Sequence, residues 1–299
     1  MTMRVFIFGA GYSGQAFARA LGRDAEWIGG TTRSADRFPG LRAAGIEPFV
    51  FDGGALSPDI VAALSRVTHL VASAAPGQTG DPVLAVAADA ILARMPELRW
   101  IGYLSTVGVY GDHDGAWVDE TAACRPVSSR SVQRLDAEQA WTQIAGRREI
   151  PLAILRLSGI YGPGRNAFAN LAEGTARRIV KPGQVFNRIH VADIAGSLVH
   201  LATRETGGIF NVTDDEPAPP QDVVAFAASA MGVAPPPEIP FDEAAMSPMA
   251  RSFYGENKRV SNAKLKATGY VFAYPDYRTA FARMWAEDDW RGDGAQAGG

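Results

Sequence analysis

The chain has 299 residues, of which 47% are hydrophobic and 20% charged, and a net charge of −3. That length holds one large domain or two with a sizeable core, and the near-neutral balance excludes a globally basic surface for nucleic acid or anionic membrane. The single cysteine, Cys124, excludes an internal disulfide and a cysteine-rich zinc site.

The opening MTMRVFIFGAGYSG carries an apolar run that breaks at glycine after a few residues. It is too short for a signal-peptide core or a membrane span, so the expectation is a cytoplasmic protein. Residues 5–8 predict a buried strand. A helix follows over 14–23, with Ala16, Ala20 and Leu21 on one side. Further strands are predicted over 26–33, 47–54, 68–76, 98–106 and 152–162. Helices are predicted between them over 59–67, 83–95 and 134–146. Strands that read as near-continuous apolar runs and alternate with helices mark a parallel sheet covered on both faces. Beyond residue 164 the pattern loosens. Residues 188–202 predict a strand edge and a helix, and 207–214 another strand. A Pro-rich connection covers 232–240, and the tail, 291–299, reads as disordered.

Gly9, Gly11 and Gly14 stand between the first strand and the first helix in G-x-G-x-x-G spacing, with Tyr12 and Ser13 inside the motif. The first glycine permits a tight turn, the second lets a pyrophosphate approach the backbone, and the third lets helix and strand pack closely. Amide donors at the helix start complete a dinucleotide site. After the second strand the sequence reads GGTTRSADR. No acid stands there for a ribose 2′-hydroxyl before Asp36, whereas Arg33 suits a 2′-phosphate. The expected cofactor is NADP(H), with NAD(H) the second choice. Asp52 after the third strand, and Ala74, Ala75 and Pro76 after the fourth, are further candidates for its walls.

The segments STVGVYG, LRLSGIYGPGRN, RIHVADIA and GIFNVTDDEP, together with the glycine loop, resemble the extended short-chain dehydrogenase/reductases, the NAD-dependent epimerase/dehydratase family. The resemblance covers nearly the whole chain. It implies a doubly wound α/β Rossmann fold, over 1–165 and 186–212, with a smaller discontinuous substrate lobe over 166–185 and 213–290. It implies a small carbonyl or hydroxyl substrate such as a nucleotide sugar, hydride transfer by a nicotinamide, and pairing into homodimers. It also places Thr106, beside Ser105, at the position that holds the substrate oxygen.

The family expects a Tyr-x-x-x-Lys pair on the next helix, with the tyrosine as general acid and the lysine lowering its pKa and holding the ribose. In PVSSRSVQRLDAEQAW those positions carry Arg130 and Arg134. No tyrosine lies between Tyr110 and Tyr161, and no lysine precedes Lys181. A guanidinium stays protonated and shuttles protons poorly. The chain is therefore similar to the atypical, YeeZ-type members that lack the pair. Two outcomes stay open: an oxidoreductase with an altered acid/base group, or a non-catalytic NADP(H) sensor or carrier.

Spaced four apart, the two arginines are expected on one side of the helix, bordering a cleft or lying on plain surface. Arg134 is also four residues from Glu138, the spacing of a surface ion pair. Tyr110 and Tyr161, at strand carboxyl ends, are candidates for a substitute acid or a substrate wall, and Arg165 for an anionic substrate group. Asp112, His113 and Asp114 read as a solvated turn and not a metal site. His190 reads as structural, and 257–269 as a basic, solvated helix face.

Overall fold

A computed structural model describes residues 3–292, so the tail expectation falls outside the described residues from 293 on. The chain divides into two units.

Of the described residues, the first unit comprises 3–109, 126–157 and 194–210. Its strands are β1 (Met3–Phe8), β2 (Ala25–Thr32), β3 (Glu47–Val50), β4 (His69–Ala72), β5 (Trp100–Thr106) and β7 (Leu152–Leu157), with β11 (Gly208–Val212) completing a seven-stranded sheet. Its helices are α1 (Tyr12–Leu21), α2 (Phe38–Ala43), α3 (Pro58–Leu64), α4 (Pro82–Ala93), α5 (Ser129–Arg148) and most of α7 (Val191–Thr203). The strand order is β11-β7-β5-β4-β1-β2-β3. Neighbours from β7 to β3 pair in parallel, which requires the crossover helices seen between them. This is a doubly wound Rossmann-type sheet, as the alternation implies. The order reverses between β1 and β4, and ligands of such sheets bind outside the carboxyl ends of strands at that reversal.

The core follows from the apolar strands. Phe6, Phe8, Leu70, Ile101, Tyr103 and Ile154 pack with Trp141 and Ile144 of α5. Asp81 caps α4, accepting from the amides of Val83 and Leu84 at 2.8 and 3.0 Å, and its second oxygen accepts from Trp141 Nε1 at 2.9 Å. One carboxylate thus starts α4 and ties α5 to it.

Of the described residues, the second unit comprises 110–125, 158–193 and 211–292. It holds β6 (Trp117–Val118), β8 (Gly159–Tyr161), α6 (Ala167–Ala172), β9 (Arg178–Val180), β10 (Arg188–His190), α8 (Pro220–Met231), β12 (Glu238–Pro240), α9 (Pro248–Phe253), β13 (Arg259–Val260), α10 (Ala263–Ala267) and α11 (Tyr277–Ala286). Three two-stranded parallel ladders form: β10 with β8, β12 with β9, and β13 with β6. Its largest apolar cluster gathers Tyr161, Phe168, Tyr277, Phe281, Met284 and Trp290.

Three expectations are corrected. Residues 152–162 are not one strand: β7 stays in the main sheet, whereas β8 turns away to pair with β10. The break falls at Ser158, whose amide donates to Val212 O at 3.2 Å. Residues 257–269 are not one solvated helix face. Lys258 is buried, with Nζ on Gly111 O at 2.7 Å and Glu256 Oε2 at 2.6 Å, and only α10 is helical. Within the tail, Arg291 and Gly292 form a turn in which Gly292 N donates to Asp289 O.

Candidate functional site

The glycine loop lies at the strand-order reversal. Gly9 has φ +81°, the left-handed region that favours glycine, and a Cβ there would sit 2.9 Å from Ala74 N, in the segment after β4. A Cβ on Gly14 would lie 3.2 Å from Ile7 Cγ2, the close helix–strand approach. Around Gly11 nothing lies within 4 Å of that position, so its backbone faces open space. Thr31 at the end of β2 fixes the loop: its Oγ1 accepts from Gly9 N and its carbonyl from Ala10 N, both at 2.8 Å. The first turn of α1 contains no acid, so no like charge repels an anion at the positive end of the helix dipole. Ser13 is buried and Tyr12 exposed at the rim. The loop fits a dinucleotide pyrophosphate.

Arg33 follows β2 directly and is exposed. Among the described residues it has no ion pair or hydrogen-bonding partner. The neighbouring acid, Asp36, is engaged by Ser34 Oγ, which holds its carboxyl below the usual range. Asp52 is exposed after β3 and accepts from Gly54 N at 2.9 Å. Ala74 is half-buried and Ala75 exposed.

At the end of β5 the two neighbouring hydroxyls part company. Ser105 is 5% exposed and its Oγ donates to Glu138 Oε1, so it is committed to the interior. Thr106 is half-buried, with Oγ1 accepting from Gly108 N at 3.1 Å.

The two arginines of α5 also part company. Both lie in the helix, which Ser128 caps by accepting from Ser131 N. Arg130 is exposed. Arg134 is half-buried, and its Nη1 donates to Leu104 O at 2.7 Å and Tyr103 Oη at 3.4 Å. Four residues turn the helix by about 400°, so the pair is splayed by about 40°. That is enough at this edge to put one side chain in solvent and the other on β5.

Nor is Glu138 a surface partner for Arg134. It is 3% exposed and bonds Arg156 in bidentate fashion, at 3.1 and 2.7 Å. Sequence reasoning missed this pair, although one signal was present. Arg156 interrupts the apolar strand LAILRL, and an arginine buried there needs a buried acid.

In the second unit, Tyr110 is fully buried and its hydroxyl donates to Asn211 Oδ1 at 2.8 Å. Tyr161 is buried against His190 and Phe281, with ring centroids 5.3 and 5.8 Å apart. Burial, reinforced by the Asp214 charge, pushes its phenol well above the usual tyrosine range. Both phenols are buried, so neither is exposed to give a proton as the substitute acid. Arg165 is exposed on the loop after β8. Asp112 accepts from Asn257 N and Asp114 N, which builds the turn expected of GDHDG. Among the described residues no group of three or more His, Cys, Asp or Glu side chains is placed to hold a metal.

His190 and Asp214 give the second unit a defined pH response. Burial, with the Arg283 charge, pushes the His190 imidazolium down to about 4. Burial raises the Asp214 carboxyl to about 8, against the pull of Arg188. A raised acid stabilises the fold below its unfolded pKa, and that stability is lost as pH rises through about 8. A depressed histidine stabilises above about 6.5 and loses that contribution as pH falls toward 4. Below 6.5 the two slopes oppose each other; between 6.5 and 8 only Asp214 acts. Stability should therefore fall across pH 6.5–8 by up to about 1.4 kcal/mol per unit. Melting temperatures of wild type and Asp214→Asn across that range test this, and a variant as pH-sensitive as wild type would refute it.

These features define a nicotinamide-dinucleotide fold, and the family model for the NAD dependent epimerase/dehydratase family matches residues 5–213. The chain belongs to that family. Protein YeeZ of Escherichia coli (strain K12) is 26% identical over 291 residues, covering 91% of this chain and 97% of YeeZ. A functionally unknown conserved protein from Silicibacter pomeroyi DSS is similar in structure, with TM-score 0.87 and 47% identity over 96% of this chain and 100% of that one. The UDP-glucuronic acid 4-epimerase of Bacillus cereus, in complex with NAD, has the same fold, with TM-score 0.77 and 17% identity over 98% of this chain and 99% of the epimerase. Among the described residues no helix is long and apolar enough to cross a membrane.

Proposed function

We propose that the chain is an NADP(H)-dependent oxidoreductase of the epimerase/dehydratase type, acting on a small carbonyl or hydroxyl compound with an altered acid/base group. The observation that carries this is the glycine loop at the strand-order reversal, open beside Gly11, with Arg33 uncommitted just beyond β2. In this reading Gly9, Gly11, Tyr12, Ser13 and Gly14 receive the pyrophosphate and Arg33 binds the 2′-phosphate. Asp52, Ala74 and Ala75 border the adenosine side. The bound nicotinamide supplies or accepts hydride. Thr106 holds the substrate oxygen, and Arg134 adds positive charge at the edge of β5. The family resemblance adds an expectation of homodimers.

A second reading is a non-catalytic NADP(H) sensor or carrier. The burial of both Tyr110 and Tyr161 favours it, because neither replaces the missing phenol on α5.

Both readings require the dinucleotide, so binding is the test. Titration calorimetry should show NADPH bound more tightly than NADH. Arg33→Asp should weaken NADPH by about 100-fold, the loss of charge-assisted bonds plus a repulsive carboxylate. Absence of binding by either nucleotide would sink both readings. Equal binding of the two, untouched by the substitution, would sink the NADP(H) preference. Turnover against a panel of carbonyl compounds then separates the enzyme from the sensor.

A further inference from the structure

One pocket of the second unit has no part in the dinucleotide reading. It has a volume of about 390 Å³ and is lined by Trp117, Val118, Asp119, Thr121, Ala122 and Ser261, which puts it at the small end of ligand sites. The ladder of β13 with β6 builds it. Arg259 pairs with Trp117 and Val260 with Val118, and Ser261 N donates to Val118 O at 2.8 Å just past the strands. The lining residues therefore gather at the carboxyl end of the ladder. Val118 is turned inward and buried, whereas Trp117 is 60% exposed. Among the described residues no ring or cationic group stacks on the Trp117 indole.

The one ionisable side chain in this lining is Asp119. Its Oδ1 accepts twice from Thr121, from N at 2.9 Å and from Oγ1 at 2.6 Å. These bonds hold the carboxyl below its usual range, so it is ionised at neutral pH. Among the described residues Oδ2 accepts no hydrogen bond, and no cation pairs with the carboxylate. The neighbouring Arg259 guanidinium is engaged by Gly115 O. Ser261 Oγ accepts from Ala263 N at 3.3 Å, and a hydroxyl oxygen has a second lone pair.

We propose that this pocket binds a small primary amine, with its ammonium on Asp119 Oδ2 and its alkyl chain along the Trp117 indole. A carboxylate beside an exposed indole, with no basic side chain in the lining, selects a cation. A calcium or magnesium ion needs more oxygen ligands than one carboxylate supplies, and among the described residues no cluster of three such side chains exists. A guanidinium binds a carboxylate through both oxygens, but Oδ1 is already filled by Thr121. The single open oxygen suits a point donor. A quaternary ammonium has no N–H to give it, whereas a primary ammonium has three, enough to reach Ser261 Oγ as well.

The probe is n-butylammonium, titrated at neutral pH and constant ionic strength. The readout is the indole N–H signal of Trp117 in nitrogen–proton correlation spectra, identified by its loss in Trp117→Phe. The signal should shift saturably, with a dissociation constant in the millimolar range. Asp119→Asn keeps an acceptor for Thr121 but removes the charge, and should weaken binding about tenfold. Butylguanidinium, tetramethylammonium and methyl glucoside should each bind about tenfold more weakly than n-butylammonium. No saturable shift with n-butylammonium would overturn the proposal, as would affinity unchanged in Asp119→Asn. Equal binding of tetramethylammonium or butylguanidinium would remove the hydrogen-bonded ammonium, and preference for the glucoside would mark a sugar site; either result overturns the assignment. None of these readouts involves NADPH, so the test stands or falls apart from the dinucleotide reading.

Discussion

Glu138→Ala should destabilise the first unit by about 3–5 kcal/mol, because it removes the bidentate carboxylate from the buried Arg156 guanidinium. Both side chains of this ion pair are only 4% exposed. Glu138 lies one helical turn beyond Arg134 and receives Arg156 from β7 and Ser105 from β5. Removing the acid takes from the buried guanidinium the carboxylate that binds it in bidentate fashion. Replacing both partners by apolar groups, Glu138→Leu with Arg156→Met, should recover most of the loss, since no charge is then left behind. Urea unfolding followed by tryptophan fluorescence reads both variants; the buried Trp141 is three residues from Glu138 on the same helix. A single variant within about 0.5 kcal/mol of wild type would show that water reaches Arg156 and that the pair is not structurally important.

In the second unit, Gly111→Ala should cost more than about 3 kcal/mol or prevent folding. Gly111 has φ +72°, and an added Cβ would stand 1.8 Å from Arg125 O, inside a backbone atom. The overlap cannot be relieved by rotating a side chain. It would have to separate two loop segments already joined by Arg125 N donating to Tyr110 O at 3.1 Å, and displace the Gly111 carbonyl from the buried Lys258 ammonium. Gly45 is the control. Its φ is +76°, but nothing lies within 4 Å of its Cβ position, so Gly45→Ala should cost only about 1 kcal/mol of backbone strain. Soluble yield and melting temperature compare the two. Equal behaviour would mean that the 110–125 segment yields easily.

Much of the first unit was legible because its signals are local. An apolar run followed by G-x-G-x-x-G is a strand, a turn and a helix start within fourteen residues. The alternation that follows admits few topologies. The second unit was less legible. Its strands are two or three residues long, below the length at which period-2 patterning can be recognised. Their partners lie up to 142 positions away, as Trp117 pairs with Arg259. For this reason 152–162 read as one strand.

The sequence by itself determined the doubly wound sheet, the glycine loop with its open approach at Gly11, the arginine after β2, and the absence of a Tyr-x-x-x-Lys pair. Each depends on residue type and short-range spacing. Only the tertiary structure decided which polar side chains are buried: Ser105 with Glu138 and Arg156, Tyr110 with Asn211, and Arg130 in solvent beside the buried Ser131. The reason is physical. A helix or strand repeats its faces every few residues, but whether a polar group on a face meets water or a buried partner depends on which distant segment packs there. Burial and pairing, not residue type, then set its charge state and what it can bind.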